Sequence, residues 1–481
     1  MAKIMLIYPP GKAYQRGEDR AQCNIEESAT TTIRACNDLG YAASVLRSRG
    51  YDVFLKDYQT EKTSYEQIEI DIKAFLPDIL LISTTNATIP ADIEFIDWVK
   101  EIYPCECILK GAIFFDIPQE LLDSLDLHNV NYLIGGEVDT IIGDLVDCIC
   151  HHKKDITKIP MVIYRNGNKF IKNNFNSWCT DLDRIPFPAR DLMNNALYVR
   201  PDTGEPMATI QVARGCPAGC IYCLTPIISG KAVRKRSVEN IFAEIEDCYY
   251  NHNIKNFFFK ADTFTIDAQW AEALCDKIIN SELCGKIEFT ANSRVKPLSE
   301  SLLKKLKSAG CFMLAVGFES GNNNTLTKIK KGATVEDNLN AAKMIKKAKL
   351  PLFGFFMIGF PWETEEDILS TLKFMFEIDP DFIELHIAMP YFGTELYTLC
   401  TEYGTIKNEA WGNDYFSPNT TGTQAVPIEH IIELRKKYLL RFYLRPKYVI
   451  RKLLCCTKNP KVFKNYVNHG LKLLKITLNK Q

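Results

Sequence analysis

Apolar and polar positions alternate along this chain of 481 residues in two βα series. In the first, apolar runs at Ile4–Tyr8, Val53–Lys56, Ile79–Ser83, Ile108–Phe115 and Tyr132–Ile134 have the length and composition of buried strands. Between them, Leu39–Arg49, Tyr65–Phe75, Ile93–Ile102 and Ile141–Ile149 place apolar residues at helical spacing. The second series has strand-like runs at Thr209–Ala213, Asn256–Lys260, Ile287–Thr290, Met313–Phe318, Phe353–Ile358 and Phe382–Ala388, with helical segments between. Thr334 with Asp337, and Thr364 with Asp367, stand where a capping box would start two of those helices.

This pattern predicts an α/β protein in four parts. Residues 1–152 form a doubly wound, Rossmann-like parallel sheet, and residues 205–397 form a partial (β/α)6 barrel of TIM type. Residues 153–204 connect them. That connector holds a hairpin signal at Asn166-Gly167 and a proline-punctuated linker, Asp181–Leu192. Residues 398–481 read as a basic amphipathic helical region.

In both series, ligands belong beyond the carboxyl ends of the strands. In the first, those ends are small and polar: Ser83 and Thr84, Gly111, and Gly135-Gly136-Glu137. Glycines there let a bulky ligand approach the backbone. By pattern alone the ligand is a nucleotide, a flavin or a corrinoid. In the second series, Asp262, Arg294, Glu319 and Ser320 fall at one rim, where a carboxylate and a guanidinium can orient a zwitterionic ligand.

Composition changes the picture in two places. The chain contains 17 cysteines and no run of eighteen apolar residues, and its first ten residues lack the hydrophobic region of a signal peptide. A reducing cytoplasmic setting with free or metal-bound thiols is expected. The net charge of −1 conceals a polarised end: after Glu433 there are fourteen Lys and Arg and no Asp or Glu. Interleaved with Leu439, Phe442, Ile450 and Leu453, those cations suit either an anionic lipid surface or docking onto an acidic body. Nucleic acid ranks below both.

The densest chemistry is Ala213-Arg-Gly-Cys-Pro-Ala-Gly-Cys-Ile-Tyr-Cys223. Cys216, Cys220 and Cys223 can hold one iron–sulfur cube and leave one iron without a protein thiolate, whereas an electron-transfer cluster takes four cysteines. This stretch, Tyr222 included, closely resembles the cluster loop of radical S-adenosylmethionine (SAM) enzymes. Asp38–Tyr58 with "ISTTN" and "LIGGEVDTI" resembles the cobalamin-binding domain that precedes many such cores. The likeness extends from Asp38 to Arg451 and is strongest to the group with hopanoid-modifying enzymes, the anaerobic magnesium-protoporphyrin ester cyclase and C-methyltransferases. Two departures are plain. No Asp-x-His-x-x-Gly is present to give cobalt a histidine, and "KADTFT" replaces Gly-Gly-Glu after the second barrel strand.

The resemblance implies a [4Fe–4S] cluster on the three cysteines, SAM at the open iron, cobalamin between the domains and methylation of an unactivated carbon. It implies a small-molecule or lipid-like substrate and a flavodoxin or ferredoxin as electron donor. A radical cyclase or rearrangement enzyme, and a non-catalytic corrinoid- or SAM-binding protein, are the alternatives.

Overall fold

The computed structural model describes residues 1–16, 23–28, 32–151, 154–175, 177–407, 411–456 and 460–478. Lys458 and Lys480 of the basic tail lie outside the described residues.

Seven strands form the N-terminal sheet: β1 (Lys3–Tyr8), β2 (Asp52–Asp57), β3 (Ile79–Ser83), β4 (Glu106–Lys110), β5 (Tyr132–Ile134), β6 (Val162–Asn166) and β7 (Lys169–Lys172). Their order is β2-β1-β3-β4-β5-β6-β7, parallel through β5 and antiparallel beyond it. The continuous apolar runs follow from this, since β3 is buried at all five positions, as a strand covered on both faces must be. The β6–β7 hairpin, grouped with the linker by its turn signal, instead extends this sheet through β5. The fourth strand stops at Lys110, because Gly111 opens a single 3-10 turn at Ala112–Phe114.

Beyond a short pair, β9 (Ala213–Arg214) with β10 (Arg234–Lys235), the second sheet is parallel throughout. It comprises β8 (Met207–Gln211), β11 (Asn256–Lys260), β12 (Glu288–Arg294), β13 (Cys311–Glu319), β14 (Leu352–Ile358) and β15 (Phe382–Ile387). The order β15-β14-β13-β12-β11-β8 leaves β8 and β15 as edges. Both capping boxes form, Thr334 with Asp337 and Thr364 with Asp367, fixing where two crossover helices begin. Each sheet has its own core cluster.

The basic tail divides. Its first helix, Ile428–Tyr443, buries Ile431, Leu434, Leu439 and Phe442 in the second core, and Arg435 donates to the Leu385 carbonyl at 2.7 Å. That helix is a structural cap. The next two, Pro446–Cys456 and Pro460–Leu478, leave Ile450, Leu453, Leu454 and Leu471 exposed. No helix among the described residues is long and apolar enough to cross a membrane.

Candidate functional site

The cysteine loop leaves β9 and returns into the short helix Thr225–Ile228. Gly215 makes the exit possible. Its φ is +89°, and a Cβ there would collide with the Ala232 carbonyl. Its amide donates to Asp262 Oδ2 at 2.6 Å, while Thr225 Oγ1 donates to Asp262 Oδ1 at 3.1 Å. One carboxylate thus ties both ends of the loop to the end of β11. The Cys216 amide donates to the Gly230 carbonyl, and that of Ile221 to Ile329, each at 3.2 Å. The loop is pinned at its glycine, its first thiol and its middle.

All three thiols border one cavity of about 230 Å³ at the carboxyl ends of the second sheet. Arg294, ending β12, donates to Cys220 Sγ at 3.4 Å and to the Lys331 carbonyl. Glu319, ending β13, accepts from Lys331 Nζ at 2.6 Å, and both are buried. Its φ of +64° is a strained value for a non-glycine residue, held by that pair and by a hydrogen bond with Tyr222. Burial, followed by the Glu319 charge, pushes the Tyr222 phenol well above its ordinary range. Gly317 leaves the room, since a Cβ there would meet Lys331 Nζ at 2.8 Å.

Asp262, Arg294 and Glu319 therefore border the cavity with the cysteines, as the strand-end argument expects, and Tyr222 borders it from the cysteine loop itself. Ser320 does not. It is fully buried, its hydroxyl 2.9 Å from that of Thr371, facing the crossover helix Glu365–Ile378. After a strand, consecutive residues point apart, so adjacency to Glu319 was poor evidence.

Beyond the thiols, the cavity wall includes Glu384 and His386 of β15, with Tyr415 and Arg34. Sequence reasoning missed these four. Burial pushes the Glu384 carboxyl up, but His386, 3.4 Å away, and the Ser28 hydroxyl at 3.0 Å hold it below the ordinary range. Two polar residues at period two in an apolar strand were a usable signal, since they share one face. Arg34, with its guanidinium carbon 4.1 Å from the centre of the Phe258 ring, left no local signal.

Behind this wall, Glu363 is fully buried, accepting from the amides of Gly359 at 2.7 Å and Phe360 at 3.1 Å. Phe360 packs on Tyr222. Burial lifts the Glu363 carboxyl from 4.5 to about 7, despite those amides. A raised folded-state value means stability fully present below 4.5 and lost as pH rises through about 7. Glu363→Gln should therefore flatten stability between pH 5 and 8, removing a slope that sums to at most about 3 kcal/mol. Urea midpoints across that range check this, and an unchanged slope would contradict it.

Of the first sheet's candidates, Gly136 and Glu137 line an interdomain cleft of about 70 Å³, whereas Ser83, Thr84, Gly111 and Gly135 do not. Ser83 donates to Asp38 at 2.7 Å, and Thr84 to Asp92 at 2.6 Å. Lys110 pairs with Asp38 at 3.0 Å. A Cβ on Gly111 would meet the Thr84 carbonyl at 2.8 Å, one on Gly135 would meet Phe114 backbone at 2.6 Å, and one on Gly136 would overlap Met161. These glycines allow loop-on-loop packing. Glu137 bridges Arg214 at 3.1 Å and Arg234 at 2.5 Å, and Asp139 also pairs with Arg214. Tyr41 Oη, buried on the cleft wall, has no hydrogen-bond partner among the described residues.

Residues 210–375 match the family model described as the radical SAM superfamily. An uncharacterized methyltransferase of Pyrococcus horikoshii is 29% identical over 449 residues, covering 93% of this chain and 94% of that protein. The anaerobic magnesium-protoporphyrin IX monomethyl ester cyclase of Synechocystis sp. is 22% identical over 423 residues, covering 85% of this chain and 83% of that protein. The solved structure of the cobalamin-dependent S-adenosylmethionine radical enzyme OxsB, with aqua-cobalamin and S-adenosylmethionine bound, aligns with a TM-score of 0.73. It is 15% identical and covers 99% of this chain and 72% of its own, a likeness of fold. With three thiols on one strand-end loop and the match over residues 210–375, this chain carries a radical SAM domain.

Proposed function

We propose that this chain is a radical SAM enzyme that methylates a carbon of a small organic or lipid-like substrate in the cavity beside Cys216, Cys220 and Cys223. The observation that carries the reading is the convergence of those thiols with Arg294, Glu319 and Asp262 on one cavity of about 230 Å³. The residues fit a cluster and SAM: the three thiols would hold the cluster, and Arg294, Glu319, Lys331 and Asp262 would meet the charged end of SAM. When bound, these groups supply a carbon-centred radical able to take hydrogen from an unactivated C–H bond. The chain's own work is placement and protection. Phe355, Met357, Tyr391 and Tyr415 wall the cavity and exclude water, while Glu384 and His386, 3.4 Å apart, add a carboxylate and an imidazole to its wall. Methyl transfer draws support from the Pyrococcus relative's name.

Cobalamin belongs to the same reading: the similar solved structure of OxsB has aqua-cobalamin bound, and its place here would be between the two domains. The cleft there is narrow in this arrangement of the domains and lined by Asp38, Lys110, Glu137, Asp139 and Arg214. Buried ion pairs across it would have to part first, and no step here runs through the corrinoid. That closed cleft, with the cyclase among the relatives, favours a second reading in which the substrate radical cyclises or rearranges. A flavodoxin- or ferredoxin-type reductant and a cytoplasmic location complete the proposal. Every cysteine among the described side chains is a free thiol, which suits a reducing compartment.

The test is metal content and turnover of protein reconstituted anaerobically with iron, sulfide and hydroxocobalamin. About four irons per chain with SAM-dependent deoxyadenosine release are expected for the cube. Absence of deoxyadenosine sinks the enzyme reading. Cobalt with a methylated product supports methylation through an opened cleft, whereas iron without cobalt and an unmethylated product moves the assignment to cyclisation.

A further inference from the structure

A second cavity, about 470 Å³, lies at the other end of the same strands. Its floor is Phe312 and Met313 at the start of β13, Phe353 near the start of β14, and Phe382 at the start of β15. Its roof is the last two helices, through Tyr448, Leu453, Phe463 and Leu473. The cluster cavity takes Gly317 and Glu319 from β13, Met357 from β14 and His386 from β15. Met313 and Glu319 are six residues apart, roughly 20 Å at ~3.3 Å per residue. Ring contacts fill the space between the two cavities. Phe382 packs on Phe353, Phe353 on Phe355, and Phe355 on His386, with centroids 6.4, 4.9 and 5.9 Å apart.

The second cavity is apolar in a specific way: most of the polar groups around it are engaged by the protein. Tyr443 Oη bonds the backbone of Ile383, Tyr448 Oη donates to the Asp381 carbonyl at 2.9 Å, and His469 meets the Pro201 carbonyl at 3.1 Å. Arg200 pairs with Asp202 and Glu288, its guanidinium 3.6 Å from the Phe312 ring centre. What faces the space is chiefly ring and methylene. Its size is that of a small-molecule pocket, and a space so lined stays dry unless an apolar group enters.

The mouth specifies the group. Leu444, Val449, Leu453, Phe463 and Val467 line the cavity and are also 37–56% exposed, so the apolar lining runs onto the surface. Ile450, Leu454 and Leu471 extend it outward. The two helices themselves carry only cations, since no Asp or Glu follows Glu433, and Asp379 and Asp381 before β15 pair with Lys447, Arg451 and Lys452 of the first of them. Lys447, Lys461 and Lys464 are exposed beside it. An apolar patch on two helices whose charges are all cationic matches an anionic lipid surface, and a deep apolar cavity opening within the patch matches a hydrocarbon chain.

We propose that the two last helices dock on an anionic membrane surface and that the cavity beneath them receives one acyl chain from it. The site is separate from the cluster cavity and independent of the chemistry performed there.

The experiment uses the full chain with Phe353→Trp, which places an indole on the cavity floor, and vesicles whose acyl chains carry bromine, a contact quencher. Phosphatidylglycerol vesicles should sediment the protein and quench the Phe353→Trp variant at least twofold more than the parent, which has Trp only elsewhere. Phosphatidylcholine vesicles should do neither. Val467→Trp, at the mouth, gives the same comparison if the floor variant fails to fold. Sedimentation without extra quenching would mean surface adsorption alone and overturn the cavity assignment. Equal response to both lipids, or no sedimentation, would overturn the docking. Self-association through this face without quenching would overturn both.

Discussion

Cys220→Ala should abolish SAM cleavage while leaving both sheets folded. Cys220 is the middle thiol of the loop, 8% exposed, with Arg294 Nη1 at 3.4 Å and the Lys330 carbonyl at 3.8 Å. Two remaining thiols cannot hold a cube that already lacks a fourth protein ligand. The loss should be at least about a thousandfold in deoxyadenosine formation, or ~4 kcal/mol of barrier at 1.36 kcal/mol per decade. Stability should change little. The side chain is small, and the loop is held by backbone bonds and Asp262 rather than by the thiol. Deoxyadenosine released by anaerobically reconstituted protein is the readout, with unchanged far-ultraviolet circular dichroism as the folding control. Cys284→Ala, an exposed thiol away from the loop, should match the parent. Deoxyadenosine from Cys220→Ala at the parent's rate would remove the cluster from this loop.

What made this loop legible was that its signal is local. Three cysteines, two glycines and their spacing lie within eleven residues, and the strands supporting them are apolar runs with a definite period. The capping boxes at Thr334 and Thr364 were legible for the same reason, since an N-cap and its third helical residue are neighbours in sequence. Losses came wherever a partner was remote. The β6–β7 hairpin showed its turn but not that β5 would take it as a sheet edge. The basic tail displayed one charge pattern, yet its first helix meets the β14–β15 crossover helix through Phe442 and Phe376 while the next two keep apolar residues outside. Gly111, Gly135 and Gly136 announced close approach but not by whom, and the approaching groups are neighbouring loops. Arg34 reaches the cluster cavity from a segment that no local pattern connects to the second sheet.

The other large effect is expected at the ion pairs between the domains. Arg214, at the root of the cysteine loop, is buried and pairs with both Asp139 and Glu137 of the first domain, and Arg234 shares Glu137. Burial alone would lower the Arg214 value, but Asp139 and Glu137 together hold it well above the ordinary one. Arg214→Ala leaves Asp139 without its cation in a site from which water is largely excluded. Breaking such a buried pair by removing one partner costs about 3–5 kcal/mol. Replacing both charges with apolar groups of similar shape should cost far less, because the penalty is an uncompensated charge and not the absence of attraction. Arg214→Met with Asp139→Leu should therefore recover much of what Arg214→Ala loses, although Glu137 keeps Arg234 in both. Each sheet has its own core, so urea unfolding should report the loss in the first transition, where the domains separate, before either core melts. Equal destabilisation of the single and double variants would mean that Arg214 acts through packing and that the charges across the cleft contribute little to holding the domains together.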